Sequence, residues 1–226
     1  MITVYFDGDQ TLWDFQALLR RSLASTINEL RACMPALRGD LSVEAFVADR
    51  GQTADALRGV TANLEEIRLE AFRTSLRRLG VTDENMAVHL NDFYLEHRFI
   101  GVDLYDDVLP TLEALAGHCR IGLLSNGNSY PNHVELERLL QATVFSQDVG
   151  VEKPDSRIFD AAERALPAQR YVMVGDSLVN DVAGAQNAGW AGIWLNRDDA
   201  KRSEPIEPDL TATKLSQILP WLAATG

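Results

Sequence analysis

Four short runs of apolar residues are separated along the chain by longer stretches in which apolar residues recur every three or four positions. The runs cover residues 2–6, 120–124, 171–174 and 191–195. Their length and nearly continuous apolar character are typical of strands that a parallel sheet buries on both faces. Strands that alternate with helices in this way predict an open α/β sheet built from βαβ units.

Helical spacing fills much of the remaining chain. Apolar residues at positions 12, 15, 19, 23, 27 and 30 predict a helix over residues 11–30. Because this helix follows the first run directly, the Asp-Gly turn at residues 7–8 does not open a hairpin. Similar stripes predict helices over residues 64–79, 86–97, 107–116, 134–140 and 158–165.

The distance between the first two runs is unusual for this pattern. More than 100 residues separate Phe6 from Arg120, which is far longer than an ordinary crossover connection. We therefore predict an all-helical subdomain over residues 15–98, inserted into an α/β core made of residues 1–14 and 99–226. The segments 13–17 and 98–104 would act as a hinge, with Gly101 able to absorb a change in backbone dihedral angles.

A polar residue follows each apolar run. These residues are Asp7, Ser125, Asp176 and Asn196. In open parallel sheets ligands bind just beyond the carboxyl ends of the strands, so side chains at these positions converge on one crevice. The predicted fold is therefore a Rossmann-like parallel sheet with its site at this edge.

Composition narrows the functional classes. With 46% apolar and 24% charged residues, the chain resembles an ordinary globular protein. Its 33 acidic and 21 basic residues give a net charge of −12, which disfavours binding to nucleic acids and to anionic membranes. No apolar run reaches the roughly 18 residues of a membrane helix. We expect a cytoplasmic protein that acts on a small molecule, with its two cysteines reduced and buried.

Four short motifs stand in order along nearly the whole chain: "DGDQT" at 7–11, "LLSNG" at 123–127, "VEKPD" at 151–155 and "VGDSLVND" at 174–181. Together they resemble the four motifs of the haloacid dehalogenase-like hydrolase superfamily, and the helical insertion is similar to the cap of its phosphatase branch. One departure is Gln10, which stands where the family most often has Gly.

The resemblance implies a role for each motif. Asp7 would attack phosphorus and form an aspartyl-phosphate, while Asp9 would protonate the leaving oxygen and then activate water. Phosphate oxygens would be bound by Ser125, by the backbone N–H groups of Asn126 and Gly127, and by Lys153. The backbone carbonyl of Asp9 and the side chains of Asp7 and Asp176 would bind the metal. Asp181 would orient a metal-bound water or Lys153, and Pro154 would begin the next helix.

Charge supports a metal requirement independently of the resemblance. Four carboxylates, those of Asp7, Asp9, Asp176 and Asp181, would face only Lys153, an arrangement that a cation must offset. A site made of carboxylate oxygens suits Mg²⁺, which also bridges to substrate phosphate. With Mg²⁺ bound and one proton shared among the carboxylates, the cluster is neutral. The proton suits a general acid beside an ionised nucleophile.

The predicted function is Mg²⁺-dependent hydrolysis of a small phosphorylated metabolite, such as a nucleotide or sugar phosphate. Candidate substrate contacts near or in the cap are Trp13, Arg20, Arg21 and Arg68. Three alternatives remain open at this point: a 2-haloacid dehalogenase, a phosphosugar mutase, and a receiver-like phosphoacceptor module. The dehalogenase branch typically lacks the second aspartate of the first motif, so Asp9 argues against it. The long insertion argues against a receiver-like module.

Overall fold

The computed structural model describes residues 1–58, 60–61, 63–98, 104–128 and 136–225. These residues form two units. The sheet unit comprises Met1–Asp14 and Val102–Gly226, and the helical unit comprises Phe15–Gly101. None of the helices in the described ranges is long and apolar enough to cross a membrane.

Six strands from the described residues form one parallel sheet in the sheet unit. The strands are β1 (Ile2–Phe6), β2 (Arg120–Ser125), β3 (Ala142–Phe145), β4 (Arg170–Gly175), β5 (Ala191–Leu195) and β6 (Leu210–Ala212). Their order is β3-β2-β1-β4-β5-β6. The chain therefore reverses direction across the sheet next to β1, which is where Rossmann-like sheets bind ligands. The predicted fold class is confirmed.

The central strand is buried because apolar layers cover both faces of the sheet. Val4, Tyr5 and Phe6 are fully buried, and the register places Phe6 opposite Leu123 of β2 and Val174 of β4. Tyr5 also donates a hydrogen bond to the carbonyl of Ala162, at 2.7 Å. This packing fixes where β1 ends and hence where Asp7 begins.

Short helices surround the sheet. They are α5 (Val108–Ala116), α6 (Ser146–Val149), α7 (Ser156–Ala165), a π-helical segment (Leu178–Ala183), α8 (Gly184–Asn187), a 3₁₀ turn (Leu215–Gln217) and α9 (Ile218–Thr225). Two residues separate the π-helical segment from the end of β4, and Ser177 caps the segment by accepting from the N–H of Asn180 at 3.1 Å. Such segments occur often at functional sites.

The helical unit contains α1 (Phe15–Cys33), α2 (Val43–Leu57), α3 (Leu64–Arg78) and α4 (Glu84–Arg98). Helix α1 contacts α2 and α4, and α3 contacts α2 and α4. Large apolar side chains such as Leu23, Phe46, Phe72 and Leu90 form the buried interior. The unit is thus held by its own apolar core.

Several local predictions are wrong. Residues 136–140 form a turn instead of a helix, while Val134 lies outside the described residues. Pro154 does not begin α7, which starts at Ser156 after the capping residue Asp155. Cys33 is exposed, although Cys119 is buried as predicted. The proposed hinge glycine, Gly101, lies outside the described residues.

Candidate active site

The loop after β1 carries the first two predicted site residues. Asp7 is buried, and its N–H donates to the carbonyl of Val174 at 2.8 Å. Asp9 is half-buried, and its Oδ1 accepts a hydrogen bond from Trp13 Nε1 at 2.7 Å. Gln10 has a φ of 61°, in the left-handed region that favours glycine. Gln10 therefore adopts the left-handed backbone conformation that glycine would adopt more easily, and this conformation is strained for a residue with a side chain.

Lys153 is the central cation of the site. The residue is 3% exposed, and its Nζ donates to Asp7 Oδ1 at 2.7 Å, to Asp181 Oδ1 at 2.6 Å and to the carbonyl of Leu124 at 2.8 Å. All three protons of the ammonium group are thus used. Lys153 joins the ends of β1 and β2 to the π-helical segment after β4.

Asn126 positions Lys153 through its side chain. Its Nδ2 donates to the carbonyl of Lys153 at 3.0 Å, and its Oδ1 accepts from the N–H of Lys153 at 2.8 Å. The resemblance assigned only the backbone of Asn126 to the site. Two hydrogen bonds to one backbone unit fix the loop that carries the lysine.

Ser125, Gly127 and Asp9 lie close together. The hydroxyl of Ser125 accepts from the N–H of Gly127 at 3.0 Å. A Cβ added at Gly127 would lie 2.7 Å from Asp9 Oδ2 and 3.3 Å from Ser125 Oγ. The absence of a side chain at Gly127 therefore leaves room for these polar groups to face one small volume.

Asp181 reaches back to the end of β4. Its Oδ2 accepts from the N–H of Ser177 at 3.0 Å, while its Oδ1 contacts Lys153. A Cβ at Gly175 would lie only 2.1 Å from Asp181 Oδ2. Glycine at this position permits the close approach of Asp181 to the strand end.

Burial and mutual repulsion perturb the ionisation of the cluster. Desolvation, together with the charges of Asp7 and Asp181, raises the pKa of Asp176 to about 7. Asp176 is an exposed residue, which limits desolvation and gives the two neighbouring charges more weight. Desolvation also raises the pKa of Asp181, against the opposing effect of Lys153. Desolvation lowers the pKa of Lys153, but Asp181 and Asp7 outweigh it and the net shift is upward.

The donor set fits a hard divalent cation. Asp7, Asp176 and Asp181 each place one carboxylate oxygen so that the three atoms lie within 4.8 Å of one another. Oxygen donors of this kind suit Mg²⁺. The predicted metal contact of Asp9 was through its backbone carbonyl, and it stays a prediction.

The predicted substrate contacts occupy different environments. Trp13 is buried in the sheet unit and contacts Asp9. Arg20 is exposed and pairs with Glu44 at 2.8 Å, and Arg21 is exposed. Arg68 is 8% exposed. Their contacts with substrate stay predictions.

Sequence reasoning missed Arg197, which supports the loop after Asp9. Its guanidinium donates to the carbonyl of Thr11 at 2.9 Å and to Asp107 Oδ1 at 3.0 Å. The guanidinium carbon also lies 4.0 Å from the centre of the Tyr105 ring. No short motif surrounds Arg197, so only the fold reveals this contact.

A second cluster of polar groups lies in the helical unit. Glu29, Cys33 and His89 place a carboxylate oxygen, a thiol sulfur and a ring nitrogen within 4.8 Å of one another. The ring of His89 and the Cys33 thiol lower the pKa of Glu29. The histidine comes from another helix, so sequence spacing does not indicate the cluster.

The chain is similar to known proteins over most of its length. A family model for haloacid dehalogenase-like hydrolases matches residues 2–189. Glyceraldehyde 3-phosphate phosphatase of Methanopyrus kandleri is 30% identical over 216 residues, which cover 91% of this chain and 88% of that protein. Pyrimidine 5'-nucleotidase YjjG of Escherichia coli is 38% identical over 115 residues, which cover 47% of this chain and 51% of that protein.

A solved structure extends these similarities. The crystal structure of 2-haloacid dehalogenase from Pseudomonas syringae matches with a TM-score of 0.81 and 30% identity, and the match covers 100% of both chains. The related proteins are named for different reactions. The choice between those reactions therefore rests on the chemistry of the site.

Proposed function

Because this chain belongs to the haloacid dehalogenase-like hydrolase family, we propose that it hydrolyses small phosphate monoesters in a Mg²⁺-dependent reaction with Asp7 as the nucleophile. The proposal includes an all-helical cap over residues 15–98 and a catalytic core over residues 1–14 and 99–226. It assigns acid–base catalysis to Asp9 and phosphate binding to Ser125, to the backbone N–H groups of Asn126 and Gly127, and to Lys153.

The observation that carries this proposal is the placement of Asp9. Its Oδ2 lies beside the space that a side chain at Gly127 would fill, next to Ser125 Oγ. A second carboxylate there suits protonation of an ester oxygen, because alkoxide leaving groups need a general acid. Displacement of a halide needs none. The hydrogen bond from Trp13 Nε1 keeps the carboxyl group of Asp9 oriented.

Lys153 supports a nucleophilic role for Asp7. The ammonium group of Lys153 donates to Oδ1 of Asp7. Among the described residues, none donates a hydrogen bond to Oδ2 of Asp7. A carboxylate held at one oxygen has its direction fixed while the other oxygen remains available. Lys153 would also stabilise the negative charge spread over the phosphoryl group in the transition state.

The reaction then has two balanced steps. In the first, an oxygen of Asp7 forms a bond to phosphorus, the bond to the leaving oxygen breaks, and Asp9 donates its proton to that oxygen. In the second, Asp9 takes a proton from water, the water oxygen bonds to phosphorus, and the bond to Asp7 breaks with release of phosphate. Bound Mg²⁺ would offset the charge of Asp7, Asp176 and the phosphate.

A dehalogenase is the second candidate, because the Pseudomonas syringae 2-haloacid dehalogenase matches over the whole chain. In that reaction Asp7 would displace halide from carbon, and neither Asp9 nor a divalent cation would be needed. The acidic cluster around Asp7, with the raised pKa of Asp176, would then have no function and an electrostatic cost.

Two parallel assays separate these candidates. Purified protein is given 4-nitrophenyl phosphate and a panel of metabolite phosphates, with release of phosphate measured in excess Mg²⁺ and in excess chelator. The same preparation is given 2-chloropropionate, with release of chloride measured. We expect phosphate release that chelator abolishes and no chloride release. Chloride release that persists in chelator, without phosphate release, would establish the dehalogenase. An isomerised phosphosugar product would indicate the mutase.

A further inference from the structure

Three side chains with metal-binding groups meet between α1 and α4, which pack against each other in the helical unit. Glu29 and Cys33 lie four positions apart on α1, and His89 lies on α4. Residues at this spacing share one face of a helix, so the carboxylate and the thiol point to the same side. The imidazole of His89 reaches both groups from the neighbouring helix.

The separations between the three ligand atoms are close to those of a tetrahedral metal site. Cys33 Sγ lies 3.4 Å from Glu29 Oε1 and 3.8 Å from His89 Nε2, and the latter atom lies 2.8 Å from Glu29 Oε1. Zinc bonds of about 2.0–2.3 Å place neighbouring tetrahedral ligand atoms about 3.3–3.6 Å apart. The two distances to sulfur therefore need almost no change. The nitrogen and the oxygen share a hydrogen bond and would separate by roughly 0.5 Å around the ion.

The chemistry of the three donors selects zinc. A thiolate, an imidazole and a carboxylate are all ligands of Zn²⁺, whereas Mg²⁺ and Ca²⁺ prefer oxygen ligands alone. When the thiol of Cys33 releases its proton to water, the thiolate and the carboxylate of Glu29 balance the two positive charges of the ion. The side chains of His89 and Glu29 are 47% and 27% exposed. A water molecule can therefore reach the fourth position of the tetrahedron.

A regulatory disulfide would be a different use of the exposed thiol of Cys33. It would need a second thiol, and the chain has only one other cysteine, Cys119, which is buried in the sheet unit. A disulfide would also leave unexplained why a histidine and a carboxylate both face Cys33. A metal site accounts for all three groups.

The cluster lies away from the ends of α1 and α4 that continue into the rest of the chain. At 1.5 Å per residue, Cys33 is about 27 Å along α1 from Phe15, the first residue of that helix. His89 lies in the second turn of α4, far from the last residue, Arg98. An ion at this position would fasten the end of α1 to the beginning of α4.

We propose that Glu29, Cys33 and His89 bind one Zn²⁺ ion, with water as the fourth ligand, and that this ion stabilises the packing of α1 against α4. Metal bound only by the folded unit adds its binding free energy to stability. The proposal does not depend on the phosphatase function, because none of the three residues has a role in that reaction.

The first experiment detects the metal–sulfur bond with Co²⁺, which replaces Zn²⁺ in tetrahedral sites and absorbs in the near ultraviolet when a thiolate binds it. The full chain is titrated with Co²⁺ in a phosphine reductant, with excess Mg²⁺ to compete for the oxygen ligands around Asp7. The variants are Cys33→Ser, His89→Gln and Glu29→Gln. The controls are Cys119→Ala and His118→Gln, which change the other cysteine and an exposed histidine of the sheet unit.

Wild-type protein and both controls should bind one Co²⁺ with the thiolate absorption, and Zn²⁺ should displace it. Cys33→Ser should lack the absorption. His89→Gln and Glu29→Gln should bind at least about 100-fold more weakly, because even the loss of a group outside the ligand set typically costs 10–100-fold. Absence of the thiolate absorption in the wild type, or its retention in Cys33→Ser, would overturn the site. Unchanged affinity in both His89→Gln and Glu29→Gln would mean that a lone thiol binds the ion, which would also overturn it.

The second experiment measures whether the ion stabilises the helical unit. Thermal unfolding of the full chain is followed by helical circular dichroism in excess Mg²⁺, with and without Zn²⁺. Zn²⁺ should raise Tm by about 5 °C or more in the wild type and in Cys119→Ala, with saturation at one equivalent. The rise should be absent in Cys33→Ser and in His89→Gln. An equal rise in those two variants, or no rise in the wild type, would refute the stabilising role.

Discussion

Replacement of Lys153 by methionine tests whether the buried ammonium group holds the site together. The change keeps the length of the side chain and removes its charge and its three hydrogen bonds. The carboxylates of Asp181 and Asp7 would then face each other without a cation. Their side chains are 2% and 11% exposed, so water would screen this repulsion poorly.

The size of the effect follows from the burial of the ion pairs. Loss of one partner from a buried ion pair typically costs about 3–5 kcal/mol, because the remaining charge is uncompensated. The similar volume of methionine limits any cavity contribution. We therefore expect Lys153→Met to lower the free energy of unfolding of the sheet unit by about 3–5 kcal/mol in chelator. Phosphatase activity should fall by about 10²–10³.

Urea unfolding followed by tryptophan fluorescence measures this loss. Trp190 and Trp194 are buried in the sheet unit, so their emission reports on its unfolding. Arg138→Met is the matched control, since Arg138 pairs with Glu113 on the surface of the same unit, with side chains 67% and 53% exposed. That control should change stability by less than about 1 kcal/mol. A Lys153→Met loss no larger than that of the control would refute the electrostatic account.

Three further variants test the roles of individual groups. Asp9→Asn should lower turnover of an alkyl phosphate by about 10²–10⁴. Because the leaving group of 4-nitrophenyl phosphate needs no proton, phosphoenzyme should still form from that ester and persist in a rapid-quench assay; equal slowing of phosphoenzyme formation from both esters would contradict a general acid. Gly175→Ala should lower kcat by up to about 100-fold, because the added Cβ would lie 2.1 Å from Asp181 Oδ2 and displace that side chain. Full activity of this variant would show that the position of Asp181 does not matter for the reaction. Trp13→Phe removes the hydrogen bond to Asp9, so it should slow hydrolysis of alkyl phosphates about tenfold more than hydrolysis of 4-nitrophenyl phosphate. Trp221→Phe is the control. An equal loss of activity on both kinds of ester would indicate that Trp13 has a structural role only.

The sequence was most informative where physical constraints are strongest. A buried parallel strand must be apolar along its whole length, and the ligand crevice requires polar residues directly after it. Both signals coincide at Phe6 and Asp7 and again at Val174 and Asp176. The central strands and the positions after them were therefore predictable.

The wrong and missed elements have local causes. In helix α2 the polar residues Asp49 and Thr53 are buried with Phe46, so no apolar stripe marks the helix. The buried carboxylate of Asp49 accepts hydrogen bonds from Ser75 Oγ at 2.7 Å and from Arg78 Nε at 2.9 Å. Both donors lie on another helix, so only the tertiary structure supplies these contacts. Strand β6 has three residues, too few for a periodic pattern.

The turn at residues 136–140 has the apolar spacing of a helix in its sequence, because its leucines also pack towards the interior. Leu136 is fully buried and its carbonyl accepts from the N–H groups of Leu139 and Leu140 at 2.8 and 3.2 Å. These contacts reproduce helical spacing over one turn only. The next residue, Gln141, donates its N–H to the carbonyl of Ile121 and leads into β3.

The contacts between the candidate site residues were less predictable than the residues themselves, which the motifs indicated one by one. Motifs indicated Lys153 and Asp181 separately, whereas their 2.6 Å contact and the shared contact with Asp7 require the fold. The side-chain hydrogen bonds of Asn126 to Lys153 likewise join residues 27 positions apart. The burial of Arg68 was not predictable, because a solvated helix arginine has the same sequence pattern.

Covalent trapping tests the central claim most directly. Wild-type protein is mixed with a ³²P-labelled phosphate ester and Mg²⁺, quenched in acid within milliseconds and digested, and the labelled peptide is identified by mass spectrometry. The account predicts label on Asp7, none in Asp7→Asn, and loss of turnover in that variant. Label on Asp9, or phosphate release by Asp7→Asn at the wild-type rate, would contradict the assignment of Asp7 as the nucleophile.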